Sequence, residues 1–418
     1  MMKQFLLLPL FLCNLAANSI QSMDRRLDRA KDLLVYESED GFLYLEGGAQ
    51  LDWTGYYTDN DNSNPPGFFF PHDAKTYDWS PRLTLTLDAF IGQQLYGFVK
   101  FRYDDGVHPG VAKIYGDSQS ARWDEFFLRA RFFDGALQLQ AGQFVPILGN
   151  FLNRQENWDT GLISFPMLYE QVTPVSDTLV PASAADFAAR RGLSDFPNKL
   201  FWLPAYWAQL YTRGITVFGQ KEGWDYSLNF TNRAPSSRGV TWNDNDWRDP
   251  SWMGSLGYRF SPAWRLGLTG TVGPYLQDLA KPALPVGSEI EDYLQRNIGL
   301  DLSYKHRHVQ VWAELVHTSF EVPNVGEDVE FWSYFIEARY DFMPQWWVSG
   351  RWNHQIYEEV EGREWDNEHI RVDLGLGRRI GRHTQIKLQY SWQHEDAPSG
   401  VDLRNAEHFI ALEASLRL

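Results

Sequence analysis

Cysteine is nearly absent from this 418-residue chain, whose single thiol, Cys13, lies close to the N-terminus. Disulfides and cysteine-ligated metals are therefore excluded for the rest of the chain. An excess of positive charge is also lacking: the formal net charge is -16, which argues against nucleic acid as a partner. The mean hydropathy of -0.41 excludes a bundle of apolar spanning helices, although membrane strands of alternating polarity would give a similar average.

The only long apolar run, residues 5–17, follows Lys3 and precedes the small polar residues Asn18, Ser19 and Ser22. This order predicts a secretory signal peptide over residues 1–22, since the run is too short to cross a membrane. A lipid anchor on Cys13 is the alternative, but small residues do not precede that position. Residues 23–42 are predicted to form a short periplasmic segment, whose charged part MDRRLDRAKD is either helical or disordered.

From residue 43 onward, short segments of alternating polarity recur. In LTLTLDAFI, Leu83, Leu85 and Leu87 share one face, and the polar Thr84 and Asp88 share the other. The pattern predicts an all-β fold of sixteen strands. The predicted strands are 43–57, 82–91, 94–104, 122–133, 136–145, 206–219, 224–233, 251–260, 264–275, 293–305, 308–320, 331–342, 345–357, 367–380, 383–395 and 405–418.

Short and long connections alternate along this series, giving seven tight turns and eight longer loops. Such asymmetry is typical of an outer-membrane barrel, in which one end faces the periplasm and the other faces outside. A soluble sandwich would mix the two ends through its crossover connections. We therefore predict a 16-stranded antiparallel transmembrane β-barrel over residues 43–418, in the outer membrane of a Gram-negative-type bacterium.

Charged side chains mark the polar face of nearly every strand. An unpaired ion in a dry core would cost several kcal/mol, so we expect this face to line a wet lumen and the apolar face to contact lipid. The predicted pore-lining residues are Lys100, Arg102, Arg129, Arg131, Arg339, Arg351 and Arg371. Individual bases could instead pair with lumen carboxylates, as Arg339 could with Glu337 or Asp341.

Aromatic residues, 16% of the chain, cluster near the strand ends and predict two interfacial girdles. The residues assigned to the girdle beside the tight turns are Phe260, Trp264, Phe342, Trp346 and Trp347. Those assigned to the long-loop ends are Trp53, Tyr56, Tyr57, Tyr103 and Tyr357.

The connection over residues 146–205 is about sixty residues long, a length that usually indicates function. It contains a predicted short helix, SAADFAARR, after Pro181. This third long loop resembles, by its place in the strand order, the loop that folds into the barrel of trimeric general porins and narrows it; the resemblance implies charges at a constriction. The predicted constriction residues are Arg154, Glu156, Asp159, Arg190 and Arg191. The alternative is a loop that covers the barrel mouth without entering it.

Two segments resemble the phosphate-selective porin O/P family. GGAQLDWTGYYTDND (47–61) is similar to its first strand, and WDEFFLRARFFDGALQLQAGQFVPILGNF (123–151) to a strand-turn-strand unit with a G-Q-F-x-x-P segment. The resemblance implies a sixteen-stranded porin, trimeric, that passes small solutes. The resemblance does not establish phosphate as the solute, because acidic residues share the predicted lumen face with the bases. They are Glu46, Asp52, Asp88, Asp301, Glu314 and Glu413.

An enzyme is not predicted, because no nucleophile elbow, metal-ligand cluster or phosphate loop appears and the ten histidines are scattered. No cofactor and no metal site are expected, and His306 and His308 are interpreted as a solvated hairpin. The predicted function is passive diffusion of small hydrophilic or anionic solutes. One alternative is a carbohydrate porin, with Trp158, Trp202 and Trp207 as a sliding surface for sugar rings; another is surface display by the long loops.

Overall fold

The structure, a computed structural model, describes residues 17–58, 77–104, 121–191, 202–208, 210–237, 247, 249–395 and 406–418. Sixteen antiparallel strands form one closed barrel within these ranges. The strands are β1 Leu43–Thr58, β2 Tyr77–Ile91, β3 Leu95–Asp104, β4 Ala121–Phe132, β5 Leu137–Phe144, β6 Thr212–Lys221, β7 Trp224–Thr231, β8 Ser251–Tyr258, β9 Trp264–Pro274, β10 Leu294–His306, β11 Val309–Phe320, β12 Val329–Met343, β13 Trp346–Tyr357, β14 His369–Ile380, β15 Thr384–Glu395 and β16 Ala406–Arg417.

The barrel closes where the last strand pairs with the first. β16 lies antiparallel to β1, and Glu413 is opposite Thr54 and Ser415 is opposite Asp52. Every other strand pairs with its two neighbours in the chain, so no crossover connection is needed. This arrangement confirms the predicted fold class and strand number.

Side chains alternate between an exposed apolar exterior and a polar interior. Along β1, Leu51 and Trp53 are about half exposed, whereas the alternating residues Asp52 and Thr54 are buried. The same alternation recurs on β14, where Leu374 is exposed and Asp373 is buried. An apolar exterior around a whole barrel requires hydrocarbon, so the protein is located in the outer membrane.

The chain reverses at seven tight turns, which all lie at one end of the barrel, called here the tight-turn end; the opposite end is the long-loop end. Backbone with positive φ makes these reversals possible at Gly92 (φ 59°), Gly223 (φ 86°) and Gly381 (φ 71°). Among the described residues, no helix is long and apolar enough to cross a membrane.

The structure corrects two strand boundaries. β2 begins at Tyr77 rather than at residue 82, because the backbone from Tyr77 to Pro81 continues to pair with β1. β6 begins at Thr212 rather than at residue 206. Tyr206 and Leu210 are buried and pack against the barrel interior without belonging to a barrel strand, and Trp202–Leu203 before them pairs with Thr173–Ser176.

Three residues assigned to the aromatic girdles face the interior instead. Tyr56 and Trp347 are almost fully buried, and Tyr357 packs against the interior apolar cluster. Trp347 fits there because Gly377 lies opposite it on β14; an added Cβ at Gly377 would come within 2.0 Å of the indole ring. Proximity to a strand end therefore does not by itself identify a girdle residue, because the side chain must also lie on the outward face of its strand.

An N-terminal helix, Ala17–Asp32, is attached to the tight-turn end. The Asp24 carboxylate accepts hydrogen bonds from the backbone N–H of Arg382 at 3.2 and 3.3 Å, and Lys31 pairs with Glu46 at 3.1 Å. The short strand Val35–Glu37 then pairs with the start of β1. The segment MDRRLDRAKD is thus helical; Cys13 and residues 1–16 of the predicted signal peptide lie outside the described residues, and that peptide stays a prediction.

We expect attachment of this helix to weaken in acid. The His383 side chain donates a hydrogen bond to Asp28 at 2.9 Å; this bond and the charges of Arg382, His383 and Lys31 hold the pKa of Asp28 below its usual value. A carboxyl whose pKa is lower in the folded than in the unfolded state stabilises the attached helix at pH values above the unfolded pKa of about 3.9. This stabilisation is lost as the pH falls through the folded-state pKa. Hydrogen exchange of residues 23–32 against pH measures the effect.

Asp28→Asn should remove this pH dependence, and Asp32→Asn on the same helix is the matched control. Equal pH profiles for the unmodified protein and Asp28→Asn would show that Asp28 does not hold the helix.

Candidate functional site

The candidate site is the barrel interior together with the connection between β5 and β6. Residues 145–191 of this connection are described, and they include the short helices Met167–Glu170 and Ala184–Ala188 and the strand Thr173–Ser176. Ser183 caps the second helix by accepting a hydrogen bond from the N–H of Asp186 at 3.2 Å. A short helix in SAADFAARR was predicted at this position. Nearly all residues from 160 to 177 are buried.

The connection enters the site beside Glu314 of β11. Glu314 Oε1 accepts hydrogen bonds from the backbone N–H groups of Asn150 and Phe151, both at 2.7 Å, and Oε2 accepts one from the Tyr169 hydroxyl at 2.5 Å. Gly149 (φ 55°) allows this approach, because an added Cβ would lie 2.8 Å from Glu314 Oε2. A wall carboxylate thus binds three donors of the connection.

Two buried arginines bind the middle of the connection. Arg351 Nη2 donates to the carbonyl oxygens of Ser164 at 2.8 Å and Phe165 at 2.9 Å. Arg371 also donates to the Phe165 carbonyl and pairs with Glu170. Carbonyl oxygens near 164–165 therefore face guanidinium groups of β13 and β14.

The same arginines belong to a chain of buried ion pairs. Arg351 pairs with Glu337 at 3.1 Å and with Asp373 at 2.9 Å, and Asp373 also pairs with Arg371 at 3.2 Å. Arg154 of the connection pairs with Glu337 at 2.7 Å. Each buried charge has an opposite charge beside it, which is the condition for burying ions without a large penalty.

Two side chains of β15 bind the connection from another side. Lys387 Nζ pairs with Glu413 at 2.7 Å and donates to the carbonyl of Asn157 at 2.7 Å. Gln389 Oε1 accepts from the N–H groups of Ile163 at 2.5 Å and Ser164 at 3.0 Å. Lys387 and Gln389 share the interior parity of β15, but the sequence could not indicate these contacts, since strand parity carries no information about a distant loop.

A second cluster of charged side chains lies on the interior faces of β2, β3 and β4. Arg82 and Arg122 bind the Asp104 carboxylate at 3.0 and 2.9 Å, and Arg102 lies 3.1 Å from Asp124. Lys100 adjoins this cluster and pairs with Glu156 of the connection. The connection therefore reaches wall charges on β3 as well as on β11 to β15.

The apolar side of the connection forms a core inside the barrel. Phe151, Phe165 and Leu168 are almost fully buried and belong to one cluster with wall residues such as Phe331 and Phe335. Phe151 and Phe165 meet edge to face at a ring-centroid distance of 5.6 Å. This packing and the hydrogen bonds described above determine the position of the connection together.

The predicted pore-lining residues all lie on the interior face, but they differ in burial. Lys100, Arg102, Arg351 and Arg371 are buried in ion pairs. The remaining three, Arg129, Arg131 and Arg339, are less buried. Arg339 pairs with Asp341 at 2.9 Å, which is one of the two pairings expected from the sequence. The polar face is therefore partly buried, and its buried bases lie beside carboxylates.

The predicted constriction residues are not gathered at one point. Arg154 pairs with Glu337 on β12, and Glu156 pairs with Lys100 on β3. Arg190 donates to the carbonyls of Pro174 and Leu179 within the connection, and Arg191 pairs with Glu364 of a long loop. Asp159 is exposed.

The proposed tryptophan sliding surface is wrong for two of its three members. Trp202 and Trp207 are 4% and 5% exposed and pack in a small cluster with Val172 and Leu210, so they cannot present faces to a solute. Trp158 is half-buried, and the guanidinium of Arg379 lies over its ring at 5.6 Å.

Two groups of histidine and carboxylate side chains lie near the long-loop end, with ligand atoms within 4.8 Å of one another in each group. The groups are His317, Glu330 and Glu358, and Asp366, His369 and Glu395. Protein donors already bind both, since Trp332 Nε1 donates to Glu358 at 3.1 Å and Asn367 donates to Glu395 at 2.6 Å. We assign no metal to either group.

These features define a transmembrane β-barrel with a polar interior, and solved outer-membrane porins have a similar barrel fold. An anion-selective porin from Comamonas acidovorans has a TM-score of 0.57 and 12% identity, over 90% of this chain and 100% of that one. The outer membrane channel DcaP of Acinetobacter baumannii has a TM-score of 0.56 and 12% identity, over 92% and 99%.

A trimer form of OmpT, an outer membrane protein of Vibrio cholerae, is also similar, with a TM-score of 0.54 and 10% identity over 90% of this chain and 99% of that one. No family model matches the chain, and neither does any curated sequence. At such identities the likeness establishes the barrel fold and leaves the solute open.

Proposed function

We propose that the protein is an outer-membrane porin through which small hydrophilic or anionic solutes diffuse passively, and that residues 146–205 narrow its channel. One observation carries this proposal: the connection hydrogen-bonds to interior side chains on well-separated strands, namely Lys100 on β3, Glu314 on β11 and Lys387 on β15. A segment with such contacts occupies part of the channel's cross-section and so leaves a narrower path for solutes. Selection then depends on width and on the charges beside the remaining path.

Anions are the proposed preferred ions because the predicted pore-lining bases that are least buried, Arg129, Arg131 and Arg339, keep donors available to a passing solute. Phosphate is the anion that the family resemblance implies. A homotrimer is the proposed assembly; the resemblance implies it, and the trimer form of the Vibrio cholerae protein supports it.

The test is reversal potential in a planar bilayer under a salt gradient. The unmodified protein should form channels that favour anions, and Arg129→Glu with Arg131→Glu should shift the reversal potential toward cations, since two positive charges become negative. Phosphate added as a competitor should reduce the chloride current if it shares the path. A protein that forms no channels would refute the porin function, and an unshifted potential would remove these arginines from the conduction path.

A further inference from the structure

Six aromatic side chains line the interior wall in the tight-turn half of the first six strands. We call them the aromatic strip: Tyr44 on β1, Phe90 on β2, Tyr96 and Phe98 on β3, Phe127 on β4 and Phe218 on β6. They share the interior parity of buried polar residues on the same strands, such as Lys100 on β3 and Thr216 on β6. The sequence alone does not distinguish them, because strand parity does not show which interior rings remain uncovered.

The rings form a continuous surface across neighbouring strands. Phe90 and Tyr96 are 5.0 Å apart between ring centroids, and Phe98 and Phe127 are 5.4 Å apart. Tyr44 extends the surface from Phe90 at 5.9 Å. The guanidinium of Arg129 extends it in the other direction, at 5.2 Å from the Phe127 ring and 5.0 Å from the Phe218 ring.

These rings are not covered as other interior aromatics are. Phe90 is 43% exposed and the other five are partly exposed, whereas Phe151 and Phe165 of the connection are 0% and 1% exposed. Leaving apolar surface in contact with water costs about 25 cal/mol per Å². A contiguous exposed apolar patch usually marks a surface that binds something.

Polar groups border the strip and limit what could bind. The Tyr96 hydroxyl donates to Asp88 at 2.6 Å, and Arg129 donates to Gln140 Oε1 at 2.9 and 2.7 Å. A purely apolar or aromatic solute would desolvate Asp88 and Arg129 without new hydrogen bonds, which is unfavourable. A small anion would gain nothing from the rings.

A pyranose ring suits both parts of this surface. Its C–H face can lie on aromatic faces, whose π clouds are negative, while its hydroxyls exchange hydrogen bonds with carboxylate, guanidinium and amide groups at the edge. We propose that the aromatic strip binds oligosaccharides by stacking their sugar rings as they pass through the channel. This proposal rests on the proposed porin function and names its solute class; the surface differs from the tryptophans considered in the sequence.

The experiment measures reduction of single-channel current by maltotriose in planar bilayers containing the full-length protein. The unmodified channel should show saturable block. Phe98→Leu with Phe127→Leu should raise the half-blocking concentration about ten-fold, because two ring contacts are lost while apolar bulk remains. Phe126→Leu is the matched control: Phe126 adjoins Phe127 in sequence, is 38% exposed on the lipid side, and should leave the block unchanged.

The outcomes separate this proposal from the porin function. Absence of ion current in the unmodified protein would overturn both. Ion current without block by maltotriose, or block that is equal in all three proteins, would overturn the carbohydrate surface alone. Block by the aromatic anion salicylate but not by maltotriose would also overturn it. Open-channel conductance in KCl within a factor of about two of the unmodified protein shows that the variants fold, since exposed or conservative changes perturb little.

Discussion

Deleting residues 150–195 should raise single-channel conductance several-fold. The deleted part includes the backbone groups bound by Glu314, Arg351 and Gln389, together with the phenylalanines that fill the interior beside β11 and β12. Under the proposed constriction, removing this volume would widen the path for ions, and conductance follows pore width. Unchanged conductance of a folded deletion variant would refute a constriction by this segment.

Because the deletion could fail to fold, a cross-link provides a second test of where the connection lies. A Cβ added at Gly161 would lie 3.2 Å from the Cβ of Ser349 on β13, a few tenths of an ångström below the usual disulfide range of about 3.5–4.5 Å, so a small shift would bring the pair into range. With oxidised glutathione added to accept the two electrons, Gly161→Cys with Ser349→Cys should form a disulfide, and removal of the predicted signal peptide would take away Cys13, the single native thiol. Conductance should stay the same before and after reduction. Thiols that remain reduced in the folded protein would place the connection elsewhere.

Arg351→Ala should lower the free energy of unfolding by about 3 kcal/mol, because it removes one partner from a buried ion-pair network. Glu337 keeps Arg154 and Asp373 keeps Arg371, but the carbonyls of Ser164 and Phe165 lose the guanidinium that donates to both. The connection should then detach more often, so that channel current becomes noisier. Urea unfolding of the refolded barrel and bilayer recordings measure the two effects.

Arg131→Ala is the matched control for this prediction. Arg131 is exposed near a tight turn and donates to the backbone carbonyl of Asp134 at 2.9 Å. Its removal should change stability by less than about 0.5 kcal/mol. Equal losses for the two variants would mean that the buried network contributes nothing specific.

Strand boundaries were predictable because one face of each strand contacts lipid and the other face lies inside the barrel. From Leu294–His306 to Ala406–Arg417, seven consecutive observed strands differ from the predicted ones by two residues or fewer at each end. A period-two pattern of apolar and polar residues is local information, so a single sequence contains it. The two larger differences, at Tyr77 and at Thr212, fall beside long connections, where polarity no longer alternates strictly.

The candidate site was less predictable, because its contacts join distant parts of the chain. The polar face of β13 could be recognised from Arg351 and Asn353, but the sequence could not indicate that Arg351 binds the carbonyls of Ser164 and Phe165. Likewise, the inward position of Trp347 depends on the space left by Gly377 on the next strand. Such facts depend on packing across strands and not on residue order.

The sequence by itself indicated that this chain forms a membrane barrel, because apolar and charged residues alternate over sixteen segments and seven tight turns alternate with eight longer connections. Only the tertiary structure decided which interior charges are buried in pairs, where the long connection lies, and which aromatic rings remain uncovered. The reason is physical: strand parity fixes the face on which a side chain lies, whereas burial depends on the groups that closure of the barrel brings opposite to it.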